Sequence, residues 1–354
     1  MREKLIAEYH QMLTVDESLT REFIASLKGM MRSRQLLYGE REIGVALRPH
    51  LLNRNQFDLL SHSSEVVAAA CNKVAAALLA EPSRMESVGL TEREIQLALI
   101  EPKYVASAVT SRLDAFVYGN EVKFVEYNAE NPSSLSDPEG LNDVLQEVGA
   151  MRTTAERYNL RQFFPVDSLL NVLLATFREW GGNGAPNIAI LDWEGLPTAR
   201  EFVLLRDVFA SRGVSSVICA PDELAYENGR LRCDNFPIDL VYKRVVIHEF
   251  LARCDNSHPL IQAYLNGDVC LVNNFRCKML HKKAMFELLT DEVSAGWFTA
   301  HEKEVLGRTV PWTRRVTERK TQHGRQEVEL MPYVRKNREK FVLKPNDDYG
   351  GRGI

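Results

Sequence analysis

The sequence predicts an α/β protein in which a parallel sheet is covered by helices and preceded by a helical region. A strand, a helix and a second strand follow one another over residues 188–219, and this βαβ order makes the two strands parallel neighbours in one sheet. Helical spacing of apolar residues dominates the first hundred residues. From Tyr104 onward the apolar residues recur at every second position, which indicates strands.

Composition excludes several classes of protein. The 354 residues carry 44 basic and 48 acidic side chains, a net charge of −4, so no basic surface for nucleic acid is expected. The longest apolar stretch, residues 66–80, is interrupted by Asn72 and Lys73, and a membrane span needs about 20 apolar residues. No signal peptide is visible, and the six cysteines contain no CxxC pair. We therefore expect a cytoplasmic protein without membrane, zinc or disulfide chemistry.

Each predicted element has a local cause. In the helical region an apolar face recurs at spacings of four, three and four residues and ends before Pro82. The apolar face of that helix consists of Val67, Cys71, Val74 and Leu78. Thr198, with Glu201 three residues later, predicts a capping box at the start of the βαβ helix. The other predicted elements are helices over 166–180 and 282–289, strands over 111–117, 122–128, 239–244, 269–272 and 341–344, and an irregular basic segment over 309–325.

The most informative segment is the predicted hairpin, which reads RLD in its first strand and VEYN in its second. Residues two apart on a strand share a face, so Arg112 shares one with Asp114, and Glu126 with Asn128. A three-residue loop or a bulge would oppose Asp114 to Glu126 and Arg112 to Asn128. The turn sequence Gly119-Asn120 favours a two-residue loop, and without a bulge that register sends the two carboxylates to opposite faces. We predict the longer loop or a bulge, with these four side chains on one face of the hairpin.

Opposed carboxylates at this place would indicate a metal site. Two carboxylates 4 Å apart repel each other by about 4 kcal/mol at an effective dielectric constant of about 20, and such pairs destabilise a sheet. A divalent cation reverses the repulsion, because Mg²⁺ binds carboxylate and amide oxygens together with substrate phosphates. A solvated polar face is the alternative interpretation of the same residues.

A second candidate site lies near the end of the chain. Lys344 ends the last predicted strand, and the glycine-rich run NDDYGGRG follows Pro345. Glycines let a phosphate approach the backbone closely, and successive N–H groups can bind an anion. A mobile terminus without a ligand is the alternative.

Two further groups of charged residues follow apolar strands. Lys278 lies between a predicted strand and a predicted helix and could point into a cleft, whereas Lys282-Lys283 are expected to face water. Lys243-Arg244 end a parallel strand, with Glu249 soon after, at the place where open α/β sheets bind ligands. An ordinary ion-pair cluster is the alternative for this last group.

With these motifs in view, the sequence resembles circularly permuted ATP-grasp ligases, above all the synthetase domain of glutathionylspermidine synthases. The resemblance rests on RLD followed by VEYNAENPSS, with twelve residues from Asp114 to Glu126, and on FVLKPNDDYGGRGI. The segments LDWE…T, DLVYKRVVIHEFL and NNFRCKMLHKKA support it in the same order, so that it covers about residues 112–354.

This resemblance implies an ATP-grasp core and four consecutive segments. These are a helical region over 1–100, a metal-binding hairpin part over 101–160, a Rossmann-like substrate domain over 161–267 and an ATP-binding lobe over 268–354.

The resemblance also implies roles for individual residues. Asp114, Glu126 and Asn128 would bind Mg²⁺ on the phosphates of ATP, and Arg112 would stabilise charge on the transferred phosphoryl group. The residues implied to contact ATP are Lys278, Lys344, Gly350, Gly351 and Gly353. Those assigned to substrate are Ser133 and Ser134, from the resemblance, and Lys243, Arg244 and Glu249, from their place after a parallel strand.

The implied activity is ATP-dependent ligation of a small-molecule or peptide carboxylate to an amine, through an acyl phosphate and with ATP and Mg²⁺ as cofactors. The family motif ADTPT is replaced here by AENPS, and no amidase domain precedes the ligase-like part, so glutathione is not assigned as the acid. A non-catalytic nucleotide-binding module is the alternative. Because the last predicted strand would have an unpaired edge, we expect a C-terminally truncated fragment that binds ATP weakly and does not turn over.

Overall fold

The structure is a computed structural model and describes residues 2–44, 46–348 and 353. Its helices are α1 (Arg2–Val15), α2 (Arg21–Ser33), α3 (Arg54–Ala80), α4 (Ser83–Ser87), α5 (Glu92–Ala98), α6 (Asp137–Leu145), α7 (Gly149–Arg157), α8 (Pro165–Trp180), α9 (Ala199–Ser211), α10 (Ile247–Arg253), α11 (Pro259–Asn266), α12 (Cys277–His281), α13 (Met285–Thr290), α14 (Ala300–Thr309) and α15 (Leu330–Lys336). Its strands are β1 (Leu37–Tyr38), β2 (Arg41–Glu42), β3 (Arg112–Tyr118), β4 (Glu121–Asn128), β5 (Ile188–Leu191), β6 (Ser216–Cys219), β7 (Leu224–Glu227), β8 (Arg230–Cys233), β9 (Phe236–Ile238), β10 (Leu240–Lys243), β11 (Cys270–Val272), β12 (Lys320–His323) and β13 (Gln326–Glu329). Short 3₁₀ helices cover Pro221–Glu223, Glu292–Trp297 and Arg338–Lys340.

The chain forms two compact units, and each is assembled from separate stretches of sequence. Unit 1 comprises Met1–Arg54, Pro132–Val245 and Asp255–Val272. Unit 2 comprises Asn55–Asn131, Val246–Cys254 and Asn273–Ile354. This grouping differs from the four consecutive segments predicted above, because the apolar surfaces that pack together lie far apart along the chain.

Unit 1 contains the predicted parallel sheet, with strand order β11-β10-β5-β6. All four residues of β5 are buried, and α8 and α9 pack against strands of the sheet. Parallel strands covered on both faces are apolar at every position, which explains why Ile188–Leu191 shows no alternation. The predicted α/β class is confirmed. A second core in the same unit is formed by α1, α2, α6 and α7 around Tyr9 and Val148.

The helix α9 begins where the sequence predicts, but for a different reason. The hydroxyl of Thr198 makes no capping hydrogen bond. The carboxylate of Glu201 instead accepts the backbone N–H of Leu135 at 2.6 Å and lies 3.4 Å from the guanidinium of Arg244. Both oxygens of Glu201 thus have partners from distant stretches of the chain, so the predicted capping box is wrong.

Unit 2 is built around α3. The predicted apolar face of this helix, from Val67 to Leu78, is completely buried and packs with residues of β4, α12 and α13. Within the described residues α3 is the one helix long and apolar enough to cross a membrane. Burial of the apolar face in a protein core accounts for this composition.

Two predicted elements near the end of the chain differ in the structure. Residues 341–344 do not form a strand, because no described strand pairs with them and an extended segment becomes a strand only through ladder hydrogen bonds. Val342 and Leu343 are accordingly 69% exposed. The helix predicted over 282–289 begins only at Met285.

Candidate functional site

The hairpin of β3 and β4 opposes the predicted pair of carboxylates. Asp114 is paired with Glu126, and Arg112 with Asn128. The loop nevertheless has only the two residues, Gly-Asn, that its sequence favours, because the ladder shifts after Asp114 and leaves Val125 as an extra residue. This bulge absorbs one position of the second strand. The predicted opposition is therefore confirmed, and the bulge produces it.

The hairpin side chains differ in how fully they are paired. Asp114 accepts two hydrogen bonds from Arg112, at 2.7 and 3.2 Å. An oxygen of Glu126 lies 3.5 Å from Nζ of Lys283. The buried Nδ2 of Asn128 has no hydrogen-bond partner among the described residues. The oxygen and nitrogen of an asparagine exchange places by a flip of the amide, so this unpaired amide fits the position of a metal ligand.

Two carboxylates and one amide on the hairpin are the groups that could bind a metal ion. In the part of the chain that the structure describes, no group of three or more His, Cys, Asp or Glu side chains is arranged as a metal site. Two carboxylates and an amide suit Mg²⁺, which keeps several water ligands and binds one or two carboxylates plus substrate phosphates. They do not form a closed structural site.

Lys344 reaches the hairpin without being carried by a strand. Its Nζ donates a hydrogen bond of 3.1 Å to the carbonyl oxygen of Val125, the extra residue at the bulge. The strand prediction for this residue is wrong, yet its ammonium group lies next to the backbone of Glu126. Positive charge is thus present beside the opposed carboxylates.

Lys278 is fully buried in an ionic cluster. Its Nζ lies 2.7 Å from Asp347, 3.2 Å from Glu130 and 3.2 Å from Nδ1 of His248. Burial alone would lower the pKa of Lys278, but the carboxylates of Glu130 and Asp347 outweigh burial and raise it. The ammonium form is therefore favoured inside the unit.

The prediction that the next two lysines face water is wrong. Lys282 is 3% exposed, and its Nζ lies 2.5 Å from Asp347 and 3.3 Å from Glu94. Lys283 donates a hydrogen bond to the backbone carbonyl of Asp348. The acidic partners belong to α5 and to the segment after Pro345, so neighbouring sequence carries no sign of them.

His281 lies in the same cluster. Both of its ring nitrogens are buried without a hydrogen-bond partner, and Nε2 lies 3.6 Å from Glu130. Burial lowers the pKa of His281, even though Glu130 acts in the opposite direction. The imidazole is therefore neutral at pH 7.

Asn273 is a positioning residue that the sequence analysis missed. Its Oδ1 accepts the backbone N–H groups of Val109 at 2.7 Å and Thr110 at 3.0 Å. Its Nδ2 donates to the carbonyl oxygens of Thr110 and Ala129, at 2.8 Å each. One buried amide thus holds the chain just before β3 and just after β4. The available signal was a polar residue directly after an apolar strand.

In unit 1, Arg244 holds the loop that carries the predicted substrate serines, Ser133 and Ser134. The guanidinium is 2% exposed and donates to the carbonyl oxygen of Pro132, on one side of these serines. Glu201 contacts Arg244 and accepts the backbone N–H on the other side. Ser134 has a φ of +68°, a conformation that these buried partners stabilise.

The remaining predicted residues have other surroundings. The ammonium group of Lys243 is buried and donates to the carbonyl oxygen of Val245 at 3.2 Å, so it supports the end of β10. Glu249 lies half-buried on α10 in unit 2. Gly350-Gly351 lie outside the described residues. Gly353 is described and has a φ of +71°, in the left-handed region that favours glycine.

Known proteins resemble this chain in fold and not in sequence. No family model matches the chain, and no curated protein matches it. A solved structure of a glutathione synthetase-like effector from Globodera pallida, in the apo form, aligns with a TM-score of 0.59 over 92% of this chain and 79% of that chain. The fold is glutathione synthetase-like. Sequence identity over the alignment is 11%, so the likeness concerns the fold alone.

Within this glutathione synthetase-like fold, unit 2 holds the hairpin residues and the lysine cluster, whereas unit 1 holds Ser133, Ser134, Lys243 and Arg244. Glu126 on the hairpin contacts Lys283, which adjoins Lys282 in sequence, and Asp347 connects Lys282 to Lys278. Acidic oxygens, an unpaired amide and ammonium groups therefore lie in one unit.

Proposed function

We propose that this chain acts as an ATP-dependent carboxylate–amine ligase of the circularly permuted ATP-grasp type. The observation that carries the proposal is the bulged register of the hairpin, with Asp114 opposite Glu126 and Arg112 opposite Asn128. Like charges directly opposite each other destabilise a sheet. A bulge that creates such a pair is understandable where the pair binds a cation.

In the proposed reaction the hairpin binds the phosphate end of ATP. Asp114, Glu126 and Asn128 would hold Mg²⁺, which when bound neutralises charge on the phosphate oxygens. Arg112, whose side chain is 40% exposed, would stabilise the phosphoryl group during transfer. Lys344 would add positive charge at the same end of the ligand.

The chemistry explains why ATP is required. A carboxylate resists attack by an amine at neutral pH, so its oxygen first takes the γ-phosphoryl group of ATP and ADP leaves. The amine nitrogen then attacks the acyl carbon, the bond between carbon and the phosphate oxygen breaks, and the amine loses a proton. Ser133 and Ser134 would contact the acid, and Arg244 would position their loop. No covalent protein nucleophile takes part.

Product analysis tests this proposal. A complete protein that carries these residues is incubated with ATP, Mg²⁺ and pools of carboxylic acids and amines, and we expect release of ADP and phosphate. Release of AMP and pyrophosphate would indicate adenylation and would contradict the mechanism. Glu126→Ala should abolish product release and change the free energy of unfolding little, because the replaced carboxylate belongs to a like-charge pair.

A matched control comes from the same strand. Glu121 is exposed at the turn end of β4, so Glu121→Ala should retain full activity. If Glu126→Ala loses several kcal/mol of stability, Glu126 has a structural role instead.

A nucleotide-binding module without turnover is the second candidate. The surroundings of Lys278 favour it. The ammonium group of this lysine already contacts three side chains of its own chain and is not free to bind a phosphate during turnover. Calorimetry with Mg²⁺–ATP separates the two candidates. Binding without release of ADP in the presence of the acid and amine pools would support the second.

A further inference from the structure

We infer that the carboxylate of Asp347 occupies the place of a phosphate group on Lys278 and Lys282, so that a phosphate-bearing ligand binds only after residues 346–348 detach. Asp347 is then a competitor built into the chain. The inference rests on the proposed function, since it concerns Lys278, which the resemblance assigns to the phosphates of ATP, and its neighbour in the cluster, Lys282.

Lys278 has too few N–H donors to bind a phosphate and all of its present partners at once. An ammonium group has three N–H donors, and Glu130, His248 and Asp347 lie within 3.2 Å of this one. A ligand therefore binds Lys278 only by replacing one of them. Glu130 is fully buried and also accepts the backbone N–H of Ile247. His248 and Asp347 are 37% and 21% exposed. Asp347 contacts Lys282 as well as Lys278, so a ligand that binds both lysines replaces Asp347.

The geometry of the contact resembles the binding of a phosphate. One oxygen of Asp347 lies 2.7 Å from Nζ of Lys278, and the other lies 2.5 Å from Nζ of Lys282. A phosphate group can likewise direct two oxygens at two ammonium groups. Burial alone would raise the pKa of Asp347, but the two lysines hold it well below its usual range. The competitor is thus an anion at neutral pH.

Charge opposes simultaneous binding of Asp347 and a phosphate. The cluster contains two lysines and three carboxylates, which are those of Glu94, Glu130 and Asp347. A phosphate added to this set would lie next to an anion at contact distance, where the local repulsion is strong. When Asp347 leaves, two lysines and two carboxylates remain, and the incoming ligand replaces the missing negative charge.

Detachment of the segment breaks the ion pairs of Asp347, the hydrogen bond from Lys283 to the carbonyl oxygen of Asp348 and a set of contacts at Asn346. Its side-chain oxygen accepts the N–H of Ala284 at 2.8 Å, and its backbone carbonyl accepts the N–H of Lys283 at 2.9 Å. Its Nδ2 donates to the carbonyl oxygen of Val88 at 2.9 Å. The backbone amides of Lys283 and Ala284 therefore lose their acceptors when the segment leaves, so their hydrogen exchange reports on detachment.

Calorimetry with tripolyphosphate as the probe tests the inference on the full chain. A built-in competitor lowers the apparent affinity in proportion to the fraction of protein that it leaves unblocked, and removing it raises the affinity by the inverse of that fraction. With about one molecule in ten unblocked, Asp347→Asn should bind tripolyphosphate about tenfold more tightly than the wild type. Asp348→Asn removes the same charge from the adjacent position and should stay within about twofold of the wild type. Equal or weaker binding by Asp347→Asn would overturn the inference.

Hydrogen exchange on the unaltered protein gives a second test that does not depend on how well a variant folds. Bound ligands usually protect nearby amides, whereas here tripolyphosphate should speed exchange at the amides of Lys283 and Ala284. Protection of both amides would contradict the release of Asn346.

The outcomes also separate this inference from the proposed function. Tighter tripolyphosphate binding by Asp347→Asn without any ligase activity would support the competitor and count against the ligase. Ligase activity with an unchanged affinity in Asp347→Asn would overturn the competitor alone. Absence of tripolyphosphate binding by both proteins would overturn it as well.

Discussion

Replacing Asn273 by Ala should weaken the attachment of the β3–β4 hairpin to the rest of unit 2. This side chain is 1% exposed and holds the residues just before β3 and just after β4 through four short hydrogen bonds. Asn273 lies in a bend after β11, outside any helix or strand, so the loss reports on these hydrogen bonds. The hairpin should consequently lose its fixed position in unit 2.

The magnitude follows from the groups left without partners. Truncation leaves the buried N–H and carbonyl of Thr110 and the carbonyl of Ala129 unpaired. Each such group costs about 1–3 kcal/mol, and water entering the space recovers part of this, so we expect a loss of about 4 kcal/mol. A domain has only about 5–15 kcal/mol of stability, so the change is large.

Native-state hydrogen exchange across β3 and β4, combined with denaturant unfolding, measures this loss. Asn274→Ala is the matched control, because the neighbouring side chain is equally buried but its Nδ2 has no partner among the described residues and its Oδ1 accepts only the N–H of Arg276. If Asn273→Ala costs no more than Asn274→Ala, the positioning role of Asn273 is refuted.

Two further predictions concern the buried charged groups. Burial lowers the pKa of His281, so below pH of about 6.5 the unfolded chain binds a proton that the folded unit does not. The free energy of unfolding of unit 2 should fall by up to about 1.4 kcal/mol for each pH unit toward pH 5 from this one group. His281→Leu should reduce that slope, and identical slopes in a pH series of denaturation curves would contradict the prediction. In unit 1, Glu201→Ala leaves the buried guanidinium of Arg244 without its carboxylate and should cost about 3 kcal/mol, with faster exchange of the Leu135 amide; the exposed Glu194→Ala serves as control, and an equal effect of both would refute the assignment.

The hairpin shows how far local sequence reached. Gly-Asn predicts a two-residue loop, whereas a longer loop or a bulge was needed for Asp114 to face Glu126. Both features are present in the structure, and they are compatible only because the ladder shifts by one residue at Val125. Nothing in the sequence around Val125 marks that bulge, since a bulge is selected by how the whole strand packs.

The strand at the end of the chain shows the opposite outcome. Phe341 to Lys344 has the composition of a strand, but strand formation depends on a neighbour, and no described residue pairs with it. Lys344 still reaches the hairpin, through a carbonyl group that the bulge leaves available. The sequence therefore predicted that Lys344 lies at the candidate site, but it did not predict the secondary structure of the segment that carries this lysine.

The sequence by itself determined the α/β class, the parallel strands and the buried face of α3, because these depend on the spacing of apolar residues along one stretch of chain. The tertiary structure alone decided which charges meet. Lys282 reads as a solvent-facing lysine next to Lys283, yet its carboxylate partners Glu94 and Asp347 come from distant stretches. Burial and distance govern the energy of such contacts, and neither can be read from residues that are neighbours in sequence.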